Sequence, residues 1–273
     1  MAQFKTRARA LDLLGRQQIA GIPTAINELI KNAYDAYADH FDASYLRPKG
    51  MLVLRDDGLG MSRTDFENRW LTLGTESKTK GERGRLPLDK DKPVRPITGE
   101  KGIGRLAIAS IGSQVLILTR PKYGENKSIV GCFINWELFE IPGVNLEDIT
   151  IPVMEFDVFP RETEIRELTQ VVGATLHALY ESNKITKNRY ERLARTIDSF
   201  VFDPFLLARE LGGPFGLSGD NSGTHFYISP VSEMFEQDLE RSKDSDEATK
   251  MEKMLLRILV MLQVDHLNNL ISM

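Results

Sequence analysis

Between Ala25 and Asp39 the chain reads AINELIKNAYDAYAD, and this stretch limits the fold more than any other. Ile26, Ile30, Ala33 and Tyr37 recur at helical spacing and form an apolar stripe that must be buried. Glu28, Asn32 and Asp35 stand at i, i+4 and i+7 on another face of the same helix. A helix built this way lays its apolar stripe on a sheet and turns its polar face into a cleft. The spacing predicts a start near Thr24, after the break GIP, and an end at about Asp39. In a cleft, the Glu28 carboxylate can take a proton from water. The Asn32 amide oxygen can ligate a hard cation such as Mg2+, whose other partners are commonly substrate phosphates. Three polar residues on a helix face are, by themselves, ordinary solvated surface; two glycine-bearing segments further along the chain give them weight.

The first of these segments, DDGLGM, Asp56 to Met61, ends the apolar strand predicted over Met51–Arg55. Gly58 and Gly60 allow a sharp turn and the close approach of a flat ligand. The aspartate before them, taken as Asp57, can accept a hydrogen bond from an exocyclic amine such as that of adenine, and Met61 offers a soft apolar surface. The second, GEKGIGRLA, Gly99 to Ala107, is a glycine-rich loop opening a helix, where backbone N–H groups favour phosphate. Lys101 and Arg105 add positive charge. Gly102 to Ala107 also satisfies G-x-G-x-x-A, but a dinucleotide site needs a strand directly before it, and here DKPVRPIT precedes. No G-x-x-x-x-G-K-[ST] phosphate loop is present.

Around these motifs the pattern predicts a short amphipathic helix over 6–20, with Ala10, Leu11, Leu14 and Ile19 as its apolar points, and a helix capped by Ser62. Strands are expected at SQVLILTR, KSIVGCFINW and GATLHALY, and a helix at TKNRYERLARTIDSFV. From Thr75 to Thr98 periodicity fails, which reads as a long lid or binding loop. Nine Lys/Arg lie between Lys78 and Arg105 against four Asp/Glu; the charges either sit in solvent, move toward a triphosphate on closure, or face nucleic acid. A domain boundary is expected near residue 205, with 206–273 an extension or the start of a transducer-like domain.

Net charge is −4, which makes no global case for nucleic acid or an anionic membrane. Cys132 is the single cysteine, so an intramolecular disulfide and a cysteine metal cluster are both excluded. No apolar run is long enough for a membrane span, and the N-terminus lacks a secretory pattern; a cytoplasmic location is the expectation.

ExxxNxxDA, then DDGLGM, then GEKGIGRLA, in this order, resemble the motifs of the GHKL ATPase superfamily: gyrase-type topoisomerases, large ATP-driven heat-shock chaperones, MutL repair proteins and MORC ATPases. The resemblance covers about residues 6 to 205, and the lid sequence LGTESKTKG is most similar to the MORC-type and related bacterial branch. It implies a Bergerat-type α/β sandwich, with a mixed, mostly antiparallel sheet, helices on one face, and the nucleotide between them under a lid at about 74–104. It implies ATP and Mg2+ as cofactors, slow hydrolysis, and an ATP-dependent homodimer in which residues 1–20 cross between protomers or pack on their own domain. A protein or DNA partner would be engaged through further domains. Carried over by residue, it makes Glu28 the general base, Asn32 the Mg2+ ligand, and Asp35 a support for nucleotide and water. Asp57 reads the adenine amine, with Gly58, Gly60 and Met61 shaping the pocket. Thr75, Ser77 and Lys78 open the lid, and Lys101, Gly102, Ile103 and Gly104 cradle the phosphates beside Arg105. The family's Gly-Thr pair on a late strand is matched to Gly173–Leu176, with Ala174 at the usual Thr position and Thr175 one place on; the literal Gly223–Thr224 is read as coincidence. Sensor histidine kinases, also in the superfamily, generally carry Asn where Glu28 stands, so a histidine kinase-like phosphotransferase is the alternative, beside a non-hydrolysing ATP-binding regulatory module.

Overall fold

Near-continuous apolar runs, buried on both faces, make the central strands of the sheet. The computed structural model describes residues 6–16, 21–72, 89–96, 98, 104–239 and 271–272. In chain order the strands are β1 (Phe41–Leu46), β2 (Met51–Asp56), β3 (Gln114–Arg120), β4 (Ile129–Asn135), β5 (Val153–Phe156), β6 (Gly223–Ile228) and β7 (Ile271–Ser272). They form one seven-stranded sheet in the order β5-β4-β3-β6-β2-β1-β7. Every pairing among β1 to β6 is antiparallel, and β7 joins the edge in parallel. The mixed, mostly antiparallel sheet expected from the motifs is therefore found.

The first helical layer holds α1 (Arg9–Arg16), α2 (Ile22–Asp35), α3 (Arg63–Asp65), which runs on as a π-helical turn over Phe66–Trp70, and α4 (Ile108–Ile111). On α2, Ile22, Ala25, Ile26, Leu29, Ile30 and Ala33 are buried, the i, i+3, i+4 stripe anticipated from the sequence. Its ends differ from expectation. Gly21, at φ 93, caps the start and Pro23 lies in the first turn, so the helix begins before Thr24. It ends at Asp35 because Tyr37 takes a left-handed conformation (φ 62) and turns the chain toward β1. Ser62 caps α3 as expected, in a reciprocal pair with Asp65. Of the helix anticipated over 6–20, Arg9–Arg16 is observed, and Ile19 lies outside the described residues.

The other face of the sheet is covered too. α5 (Glu162–Glu181) and α6 (Lys187–Asp198) pack together through the stacked rings of Tyr180 and Tyr190. The Thr196 carbonyl accepts from Gln114 on β3. Phe200 lies against Phe133 of β4, Phe202 against Tyr227 of β6, and α7 (Pro204–Leu211) follows. The strand expected at GATLHALY is part of α5. A helical burial pattern of Ile165, Leu168, Val172, Leu176 and Leu179 runs through it, and this longer period overrides the strand-like composition of eight residues. Nor does the sheet stop near residue 205. β6 is inserted between β2 and β3, and α8 (Glu233–Leu239) then returns to the first layer, with Phe235 against Tyr45.

Candidate functional site

β2 ends between β1 and β6, and side chains alternate along it, so Asp56 and Asp57 part company. Asp56 shares the face of Leu52 and Leu54, which looks toward α2, and it is buried. Burial raises its carboxyl from 3.8 to about 7, against the pull of the Gly58 and Thr224 backbone N–H groups. Asp57 points elsewhere. Its Oδ1 accepts from the backbone N–H groups of Asp39 and His40, each at 2.8 Å, and its Oδ2 meets His40 Nδ1 at 2.7 Å. The carboxylate assigned from sequence to the adenine amine thus closes the turn after α2, and the buried carboxyl at the end of β2 is Asp56. Strand alternation puts the two on opposite faces, but both faces of β2 are buried, so the sequence alone did not say which aspartate lies beside β6.

Thr224 stands opposite Asp56 on β6 and opposite Thr119 on β3. Met61 N–H donates to Thr119 Oγ1, which donates in turn to the Gly223 carbonyl, both at 3.0 Å. With that proton committed, the 3.0 Å contact between the two threonine hydroxyls is a donation from Thr224, whose lone pairs stay open to an incoming donor. The Gly-Thr pair set aside as coincidence is thus a central strand element beside Asp56. Thr175, its expected counterpart, lies on α5, where its hydroxyl bonds to the Val171 carbonyl within the helix.

The glycines explain how closely these segments meet. A Cβ on Gly58 would stand 2.8 Å from the Ala36 carbonyl oxygen. On Gly60, at φ +59, it would stand 1.9 Å from the Arg120 oxygen. On Gly223, at φ +144, it would stand 2.0 Å from the Asp56 oxygen. Midway along α2, a Cβ on Gly104 would lie 2.7 Å from Glu28 Oε2. Gly104, which opens the turn of 3-10 helix Gly104–Ala107, therefore packs on the expected general base. Glu28 Oε1 accepts from Lys31 at 2.8 Å. Asn32 lies one turn further on, and Asp35 Oδ1 accepts from the Thr98 N–H (2.8 Å) and hydroxyl (2.9 Å). Thr98 is a partner for Asp35 that no sequence motif marked.

The described part of the lid is strapped across the end of α2. Lys92 Nζ donates to the Tyr37 carbonyl at 2.9 Å and pairs with Asp39. Arg95 donates to the Ala38 carbonyl at 2.8 Å and lies over the rings of Tyr34 and Tyr37. Buried Asp89 is held by Lys122 and Tyr123, just past β3; hydrogen bonds from the Asp91 N–H, Tyr123 and Lys122 outweigh burial and hold its carboxyl at about 2. Thr75, Ser77, Lys78, Lys101, Gly102 and Ile103 lie outside the described residues.

The candidate site residues thus fall into two groups. One presents a buried acceptor carboxyl, a threonine and glycines with no room for side chains, which suits the edge of a flat heterocycle bearing an amine. The other presents a carboxylate, a carboxamide and a glycine-opened turn. Among the described residues no cluster of three or more His, Cys, Asp or Glu could hold a metal unaided. A cation kept by Asn32 and substrate oxygens fits that donor set. No helix among the described residues is long and apolar enough to cross a membrane.

Residues 21–150 match the family model described as "Histidine kinase-, DNA gyrase B-, and HSP90-like ATPase". No curated protein matches the chain. The matched span includes α2, Asp56, Gly104 and Thr119 but ends before β6, so the sheet contributes Thr224 from outside it. The matched span covers a little under half of the chain, and over it the chain is similar to GHKL-type ATPase domains, with which its mixed sheet is consistent.

Proposed function

We propose that the chain is a Mg2+-dependent ATPase module that hydrolyses ATP slowly and whose nucleotide state controls dimerisation or partner engagement. The observation that carries the reading is the placement of Glu28, midway along α2, against Gly104, with buried Asp56 beside Thr224 past the C-terminal end of the helix. In this reading Asp56 and Thr224 accept hydrogen bonds from the adenine end. The glycines at 58 and 60 let the turn after β2 pack against Ala36 and Arg120, which fixes Met61 beside Thr119 at the edge of the ring site. Asn32 holds the Mg2+, which would neutralise phosphate charge and fix the phosphates in place. Lys31 holds one oxygen of Glu28, and the other, facing Gly104, takes the proton of the attacking water. Asp35, oriented by Thr98, supports the water network behind Asn32.

The test is ATP binding and turnover with Mg2+, for wild type beside Glu28→Gln and Asp56→Asn. The expected outcome is binding with slow turnover in wild type, binding without turnover in Glu28→Gln, and loss of binding in Asp56→Asn. Turnover that persists in Glu28→Gln removes the general-base role, and absence of ATP binding in wild type overturns the reading as a whole. Sedimentation with and without a non-hydrolysable ATP analogue tests the dimer separately.

A further inference from the structure

β3 and β6 lead away from the candidate nucleotide residues to a cavity at their opposite ends. Thr119 and Thr224 stand opposite each other at one end of this strand pair. At the other end, Gly112 and Ser113 enter β3, and Pro230, Val231 and Ser232 follow β6, joined by a bridge between Gly112 and Val231. At ~3.3 Å per residue, Ser113 and Thr119 lie about 20 Å apart, so the cavity is separate from the nucleotide residues. Its volume is about 480 Å3, in the range that holds small organic ligands. Its walls come from α4, from the segment entering α8, and from Glu137 and Glu140 after β4.

Hydrogen bonding on these walls is one-sided. The amides of Gly112, Ser113, Val231 and Ser232 are committed to the carbonyls of Ile108, Pro230, Gly50 and Ile111. Those of Glu137 and Glu140 go to the Asn135 side chain and the Glu137 carbonyl. Ser110 gives its hydroxyl proton to the Ala107 carbonyl at 2.7 Å, so what it has left to offer is lone pairs. Ser113 Oγ is buried without a partner. Arg192 holds both oxygens of Glu137, at 3.2 and 2.5 Å. Glu140 brings a second carboxylate, and carboxylate oxygens accept from more than one donor. No basic side chain is among the described residues that line the cavity, and Ala109, Pro230, Val231 and Met234 give it an apolar wall. An anion there would meet carboxylates and find its donors already engaged. A hydrocarbon would leave Ser113 unmatched. A ligand that brings its own N–H groups and a positive charge meets both conditions.

We infer that this cavity is a binding site for a small organic cation, an ammonium or guanidinium on a short apolar stem. Glu140 and the hydroxyls of Ser110 and Ser113 accept from the charged head, and Val231 and Met234 cover the stem. The site does not depend on the nucleotide reading, so either can fail alone. The same head group is carried by a free amine and by a lysine side chain of another protein.

Amide NMR of the full chain tests the site with three probes: pentylammonium for the free amine, Nα-acetyl-lysine methylamide for the side chain, and pentanol for the uncharged stem. The expected result is saturable shifts centred on the amides of Ser110, Ser113 and Ser232 with an ammonium probe, and binding of pentanol at least about tenfold weaker. Glu140→Gln should weaken the ammonium about tenfold. Ser110→Leu fills the cavity from α4 with a good helix former, and should abolish the shifts while the thermal transition is kept. It decides the matter if Glu140→Gln fails to fold. Tighter binding of pentylammonium than of the lysine probe supports the site with a free amine as its ligand; the reverse order supports it with a protein lysine. Equal binding of pentanol and pentylammonium overturns the inference. So do shifts that never saturate, or that persist in Ser110→Leu.

Discussion

At the scale of single residues, the neighbours Asp56 and Asp57 show how one strand position separates structure from chemistry. Asp56→Asn is expected to lower ATP affinity by about a hundredfold, because an amide cannot replace a carboxylate that accepts from an amine and from backbone N–H groups alike. It should also stabilise the ligand-free protein at pH 8. In the unfolded chain Asp56 ionises near 3.8 and in the folded chain near 7, so between these values the folded state keeps a proton that the unfolded state has lost. Stability from this group is therefore present below about pH 4, falls as pH rises through about 7, and does not return above it. The rise corresponds to on the order of 4 kcal/mol, and denaturant melts of wild type and Asp56→Asn between pH 4 and 8 read it directly. ATP needs the ionised form, so its affinity should weaken as pH falls below about 7 in wild type; a flat profile in calorimetry would remove Asp56 from the adenine end. Asp57→Ala should instead cost about 1–3 kcal/mol of stability through the lost turn contacts at Asp39 and His40, with nucleotide affinity largely kept in the molecules that fold.

At the scale of elements, legibility depended on how local the determinant was. The apolar stripe and polar face of α2 are properties of fourteen consecutive residues, and both were readable. α5 was misread over GATLHALY because eight residues rich in β-tolerant types cannot reveal a twenty-residue helical period. The DDGLGM turn shows a constraint that is local in sequence and non-local in cause. The pattern flagged Gly60, but the reason Gly60 must be glycine is the carbonyl of Arg120 on another strand. Gly60→Ala should cost at least ~3 kcal/mol, from a positive φ together with a contact that only backbone movement relieves, and urea denaturation measures it. The strap over 89–98 was invisible to periodicity, since side-chain ties to β3 and α2 hold it. Asp89→Asn removes its buried ion pair with Lys122, and hydrogen exchange at the Thr98 amide, bonded to Asp35, should then quicken about tenfold or more. Unchanged protection there would mean that Lys92 and Arg95 hold the strap alone.

At the scale of the whole molecule, the decisive fact is the insertion of β6 between β2 and β3. A chain truncated at the boundary anticipated near residue 205 loses the strand that fills the middle of the sheet and exposes the backbone edges of two buried strands. That fragment is expected to be insoluble or unfolded by circular dichroism, and a cooperative thermal transition in it would show the sheet closing without β6. The layer of α5, α6 and the phenylalanines at 200 and 202 has a similar standing. It covers the sheet face opposite the cleft, where Tyr227, His225 and Arg55 are buried, and so gives β6 a packed back against which Thr224 faces the site.

By itself the sequence determined the elements whose signal repeats within a short window: the two-faced helix, the glycine turns, the capped start at Ser62 and the apolar strands. Those were enough to place the two-faced helix beside the glycine turns and to suggest a nucleotide site. Only the tertiary structure decided which aspartate is buried beside Thr224 and that the sheet takes in a strand beyond residue 205. Each of those depends on strand register and on β6 pairing with residues some 100 to 170 positions earlier in the chain. Pairing at that distance leaves no periodic trace, because the hydrogen bonds that set it are made by backbone common to every residue.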